Sequence, residues 1–209
     1  MQNTKDFLLE LGQLKLDHVA QLSASFNNLP KSDYLDGDYR LRRYSHFNFS
    51  ANVLKKMPAK AFEQSTEFNA FQGNVARQYE EIEQSVIESD AFVEIFERFK
   101  DITDLDDEAS IEVHQIRIIA KGEKGSQVTP EGVHQDGYQR IGIFVIDGNN
   151  IIGGELNIHT QKHAAPFIKH KFDQGEFVVL NDEHFWHSAE DIRSAGPGGA
   201  NMDVFVLTA

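Results

Sequence analysis

Ile111-Glu112-Val113-His114-Gln115-Ile116-Arg117-Ile118-Ile119-Ala120 is the stretch that decides the fold. Its β-branched residues favour a pleated chain, and side chains on a strand point alternately to two faces. Glu112, His114 and Ile116 therefore share one face, and Val113, Gln115 and Arg117 the other. Downstream, further strands are expected at 140–147, 154–160, 166–172, 176–181, 184–189 and 202–208. Turn-forming runs separate them: Asp147-Gly148-Asn149-Asn150, Gly153-Gly154, Asp173-Gln174-Gly175 and Ala195-Gly196-Pro197-Gly198-Gly199. Many short strands at close spacing define a sandwich or barrel.

Upstream the periodicity is helical. Residues 4–24 place Phe7, Leu8, Leu11, Leu14, Val19 and Leu22 near one stripe. Residues 59–72 and 74–100 are also expected to be helical, with Ser89-Asp90 interrupting the second run and capping a separate helical segment after it. The acidic positions Glu80, Glu81, Glu83, Glu88, Glu94 and Glu97 are expected on solvated faces. Between the helices, Arg40–Ser45 alternates as a strand. Its cluster Arg40, Arg42 and Arg43 has two readings: a solvated face with carboxylate neighbours, or one arginine turned into a pocket to hold a carboxylate. The whole reads as an α+β chain, one domain over 1–209, with a mainly helical flank over 1–108 and a β core over 109–209. That core is expected to be a double-stranded β-helix of the jelly-roll or cupin type.

Composition narrows the function. With 40% hydrophobic residues and 16 phenylalanines, the 209-residue chain can bury a sizeable core. A formal charge of −13 argues against nucleic acid and anionic membrane surfaces as partners. The chain has no cysteine, so a metal site must use His, Asp or Glu. No apolar run approaches the ~18 residues of a spanning helix, and Met1–Asp6 shows no secretory pattern. A soluble, cytoplasmic protein is expected.

Thr129-Pro130-Glu131-Gly132-Val133-His134-Gln135-Asp136-Gly137 carries the candidate chemistry. A His and an Asp two apart on one extended segment project to the same side. A second histidine from a distant strand would complete two imidazoles and a carboxylate, the set that leaves one face of ferrous iron open in non-haem oxygenases. His187, in His184-Phe185-Trp186-His187-Ser188, is that histidine. The plainer alternative is a hydrogen-bonded surface pair and a histidine packed on Trp186. His159, His163 and His170 are expected to be exposed, and His184 to face away from His187. Ser188 lacks a Gly-x-Ser-x-Gly setting, and no phosphate-binding glycine fingerprint occurs.

These residues resemble the iron(II)/2-oxoglutarate dioxygenase family that contains bacterial isoleucine dioxygenase and related free-amino-acid hydroxylases. Thr129–Gly137, Gly153-Gly154-Glu155, Trp186-His187 and Asp203–Thr208 carry the resemblance, with Arg42-Arg43-Tyr44 and His114–Arg117 in supporting order. It implies iron(II) held by His134, Asp136 and His187, with 2-oxoglutarate as co-substrate and molecular oxygen as oxidant. It further implies hydroxylation of an aliphatic carbon of a free amino acid or similar small molecule.

One position departs from the family pattern. Met202 stands where an arginine usually pairs with the distal carboxylate of 2-oxoglutarate, and methionine offers no donor. Arg117, Arg140 and Arg193 are the candidates to replace it, Arg117 with the best strand placement. The alternatives are an iron oxygenase or oxidase that does not use 2-oxoglutarate, and a cupin-like protein that only binds a ligand. A homodimer is admitted.

Overall fold

Large apolar side chains alternate with smaller or polar ones along four long strands, and this alternation gives the molecule two unlike sides. The computed structural model describes residues 8–122 and 124–209. In chain order its elements are β1 (Leu9–Gln13), α1 (Leu16–Ser23), β2 (Arg40–Ser50), β3 (Val53–Lys56), α2 (Gln84–Ile87) and α3 (Asp90–Thr103). There follow β4 (Ser110–Ile119), β5 (Arg140–Asn149), β6 (Ile151–Ile152), β7 (Leu156–His159), β8 (Ile168–His170), β9 (Glu176–Asn181), β10 (Trp186–Ala189), β11 (Arg193–Ser194) and β12 (Asn201–Thr208). A seven-stranded sheet runs β1-β9-β5-β12-β4-β2-β3, and a three-stranded sheet runs β10-β7-β8. All pairings between these strands are antiparallel. The result is the expected double-stranded β-helix.

One face of the large sheet is an aromatic core. Phe47 and Phe49 of β2, Val113 of β4, Phe144 of β5 and Phe205 and Leu207 of β12 meet Phe92, Ile95, Phe96 and Phe99 of α3. Phe96 packs edge-on to Phe47 and Phe92 with ring centroids 5.2 Å apart. The opposite face presents the alternate residues: Arg40 and Arg42, His114, Ile116 and Ile118, Ile141 and Ile143, and Met202, Val204 and Val206. These line a cavity between the two sheets. Period two along each strand thus separates the core from the working face.

The flank differs from the helical expectation. Residues 4–7 lie outside the described residues, and Leu9–Gln13 form a strand on β9 rather than the start of a helix. Gly12 there lies against the Phe177 ring, where any side chain would collide. Residues 59–83 form no helix. Asn69 Oδ1 accepts from the backbone N–H groups of Phe71 and Gln72, so a side chain competes for the bonds a helix would need. Asn74 comes next in the left-handed region, at φ 57. The segment is instead tied across itself by a two-way backbone bridge between Phe62 and Arg77. Ser89 does cap α3, accepting from Phe92 N–H. Glu94 is buried against His18 and not on a solvated face. The first 108 residues are therefore less helical than expected, since three of their segments join the large sheet. No helix among the described residues is long and apolar enough to cross a membrane.

Phe96→Ala is expected to destabilise the protein by about 3–5 kcal/mol, the usual cost of deleting a buried aromatic ring. Urea unfolding monitored by circular dichroism measures it.

Candidate metal centre

His134 lies on the connection between β4 and β5, not on a named strand, yet it exchanges two backbone hydrogen bonds with His187 of β10. His134 N–H donates to His187 O and His187 N–H to His134 O, both at 2.9 Å. Residues directly opposed across an antiparallel bridge project to the same face. The two rings accordingly sit with centroids 4.3 Å apart. Asp136 comes in from the same segment: its Oδ1 is 3.7 Å from His134 Nε2 and its Oδ2 3.5 Å from His187 Nε2. One ligand atom from each of the three lies within 4.8 Å of the others.

The surroundings fix how these groups point. His134 Nδ1 donates to the Gly132 carbonyl at 2.9 Å, which leaves Nε2 as a lone-pair donor toward the centre. His187 Nδ1 faces Asp182 Oδ1 at 3.5 Å. Asp182 Oδ2 accepts from the backbone N–H groups of Asp136 and Gly137, at 2.7 and 3.0 Å. Gly137 adopts φ 86, which lets the chain turn beside Phe68. Gln64 donates to Asp136 Oδ1 at 3.1 Å and is itself held by Asn69. Such outer contacts orient metal-binding side chains and set their basicity.

Charge is set by burial and by the neighbours. Burial holds the His134 imidazole below its ordinary value, and His187 adds to this. For His187, burial acts downward, but Asp136 and Asp182 carry the ring above its ordinary value. Burial opposes ionisation of Asp136, yet His187, His134 and Gln64 keep its carboxyl well below the usual range. Burial pushes the Asp182 carboxyl up to about 6 against the pull of His187. Two imidazole Nε2 atoms and a carboxylate are a donor set that would hold a ferrous ion, with His134 Nδ1 bonded to a carbonyl and His187 Nδ1 facing Asp182.

The three side chains line a cavity of about 110 Å³. Its walls are largely aliphatic, including Ile116, Ile118, Leu156 and Val206. A polar side carries Arg40, Arg42, Arg77, Gln64 and Asn69. Met202 lines the cavity and is buried, with no polar atom to offer. None of the three arginines put forward to replace it lines the cavity. Arg117 lies on the opposite face of β4, where its Nε and Nη2 grip Asp203 at 2.7 Å each. Arg140 bonds the Gln139 carbonyl, Arg193 is exposed, and neither lines the cavity.

Of the Arg40, Arg42 and Arg43 cluster, Arg40 and Arg42 face inward. Arg43 turns out to Glu80 and Glu83. His159, expected to be exposed, is buried with Nδ1 on the Ala164 carbonyl. Sequence reasoning missed Asp182, Gln64 and Arg77. Asp182 has a faint signal in its place five residues before His187. Gln64 and Arg77 have none, because the segment that carries them reads as helix.

A double-stranded β-helix with a His-Asp-His centre under an aliphatic cavity defines a mononuclear non-haem metal oxygenase. The 2OG-Fe dioxygenase family model matches residues 23–208, and the chain belongs to that family. It is an iron(II)-dependent dioxygenase, and the family's cofactors are iron(II) and 2-oxoglutarate. A solved bsmA homolog from Methylobium petroleophilum PM1 is 25% identical with TM-score 0.77, over 92% of this chain and 81% of its own. A structure described as IDO from Bacillus thuringiensis is 19% identical with TM-score 0.75, over 92% of this chain and 85% of its own. The Fe(II)/(alpha)ketoglutarate-dependent dioxygenase TqaL is 15% identical with TM-score 0.66, over 93% and 74%. The last two share the fold. No curated protein matches this chain.

Asp182→Asn is expected to weaken Mn(II) binding by about 10- to 100-fold, as loss of a group that orients a metal-binding histidine does elsewhere. Equilibrium titration monitored by electron paramagnetic resonance reads the effect. His187→Ala should abolish specific binding while leaving the far-ultraviolet dichroism unchanged.

Proposed function

We propose that the protein hydroxylates an aliphatic carbon of a free amino acid or a closely similar small molecule, with His134, Asp136 and His187 as its iron ligands. The observation that carries this reading is the convergence of the three ligand atoms within 4.8 Å, at the floor of a cavity with aliphatic walls. Ferrous iron with 2-oxoglutarate, when bound, supplies oxygen transfer from O2 to a C–H bond, with succinate and carbon dioxide as co-products. The chain's own part is positioning and exclusion. His134 and His187 offer Nε2 because Gly132 and Asp182 face their other nitrogens. Gln64 holds Asp136 in the orientation that turns its carboxylate to both rings. Ile116, Ile143 and Val206 keep water from the target carbon, and their shape confines it close to the metal.

Anaerobically purified protein, given Fe(II), 2-oxoglutarate and a panel of free amino acids, is expected to form succinate and a hydroxylated amino acid only when oxygen is admitted. Mass spectrometry of both products checks it, and no turnover, coupled or uncoupled, would reject the reading. One observation favours a second reading, in which iron works without 2-oxoglutarate. Met202 leaves the usual position of the distal carboxylate without a donor. That reading predicts substrate-dependent oxygen uptake that does not respond to 2-oxoglutarate.

A further inference from the structure

Arg77 is among the most deeply buried large side chains of the protein, at 2% exposure, and it lines the cavity. Its Nε and Nη2 have no hydrogen-bond partner among the described residues. No carboxylate among them forms an ion pair with it, whereas Arg40 and Arg42 share Asp36, at 3.1 and 3.9 Å. A buried cation without an acceptor is costly, so such a group calls for a partner: a water, an ion or a ligand. The side chain is nonetheless held in place. The Arg77 backbone is bridged both ways to Phe62, and the guanidinium lies 4.7 Å over the Phe62 ring.

The unpartnered atoms are the informative ones. Nε and Nη2 form the side-on fork of a guanidinium, whose two parallel N–H groups match the two oxygens of a carboxylate. This protein shows the filled version elsewhere: Arg117 uses Nε and Nη2 to hold the two oxygens of Asp203. Arg77 lines the cavity and leaves the same pair without an acceptor. Arg40, Arg42 and Arg77 line the same cavity as His134, Asp136 and His187, so the basic groups and the candidate metal centre share one space.

We propose that Arg77 is the carboxylate grip of this cavity, taking the carboxylate of a small aliphatic acid between its Nε and Nη2. The proposal deepens the iron dioxygenase reading and rests on it for what lies beyond the carboxylate. The acid has two sources, the distal carboxylate of 2-oxoglutarate or the carboxylate of the amino-acid substrate. Arg42, whose guanidinium is only loosely paired with Asp36, adds positive charge beside the grip. The aliphatic walls then take the hydrocarbon part of the same molecule.

The test uses the full chain with Arg77→Leu and Arg77→Lys, in metal-free and Mn(II)-loaded forms under nitrogen. Calorimetry measures affinity for 2-oxoglutarate, for glutarate and isovalerate, and for a panel of free amino acids with 2-oxoglutarate present. Arg77→Leu is expected to weaken at least one carboxylate by about thirtyfold or more, as truncating one partner of a buried charge pair does. Arg77→Lys keeps the charge but not the fork and should recover only part of that loss. Weakening confined to 2-oxoglutarate and glutarate assigns the grip to the co-substrate, and weakening confined to the amino acids assigns it to the substrate. Without ligand, Arg77→Leu should melt no lower than the parent, because it removes a buried charge that no acceptor satisfies. Unchanged affinity for every carboxylate, or a parent that binds none of them in either form, overturns the proposal. If Mn(II) fails to bind but the metal-free parent still holds carboxylates through Arg77, the iron reading fails and the grip stands.

Discussion

Two reciprocal hydrogen bonds between the main chains of His134 and His187 are the constraint on which the site depends. They join a loop that belongs to neither sheet to the edge of the small one. Because the two residues are directly opposed, their side chains leave on the same face, which brings the imidazoles together. Asp182 secures the same arrangement from behind, holding the Asp136 and Gly137 amides with one oxygen and facing His187 with the other. The ligand atoms are thus positioned by backbone geometry first and by side-chain contacts second.

The large sheet makes that geometry stiff. Its far face is filled by phenylalanines from four strands and from α3, where rings meet edge-on at little more than 5 Å. Packing of this density resists small displacements. The near face carries shorter aliphatic chains and leaves space. One period-two pattern therefore yields a rigid back and an open front, and the candidate metal centre lies on the front.

The β half was legible because alternation is a direct record of which side faces a core. Ile111 to Ala120 announced both faces, and the structure puts His114 and Ile116 on the cavity side as the pattern required. The same pattern already placed Arg117 on the other face, so its nomination as a carboxylate partner conflicted with its own strand. The flank was less legible. Apolar residues at helical intervals occur between 59 and 83, but Asn69 and Asn74 impose turns that periodicity does not register. Arg77 was invisible for a related reason: an arginine in a polar stretch reads as surface, and only the tertiary fold buries it. Gln64 reaches Asp136, and Asp182 reaches the Asp136 and Gly137 amides, across long intervals that no local pattern records; only the short spacing of Asp182 from His187 leaves a faint trace.

The segment from 59 to 83 contributes no strand to the large sheet or the three-stranded one, yet it brings Gln64 to Asp136 and Arg77 to the cavity. What the scaffold does and what the visitor experiences are thereby encoded in separate parts of the chain. Changes in this cover can reshape the cavity without touching the strands beneath it.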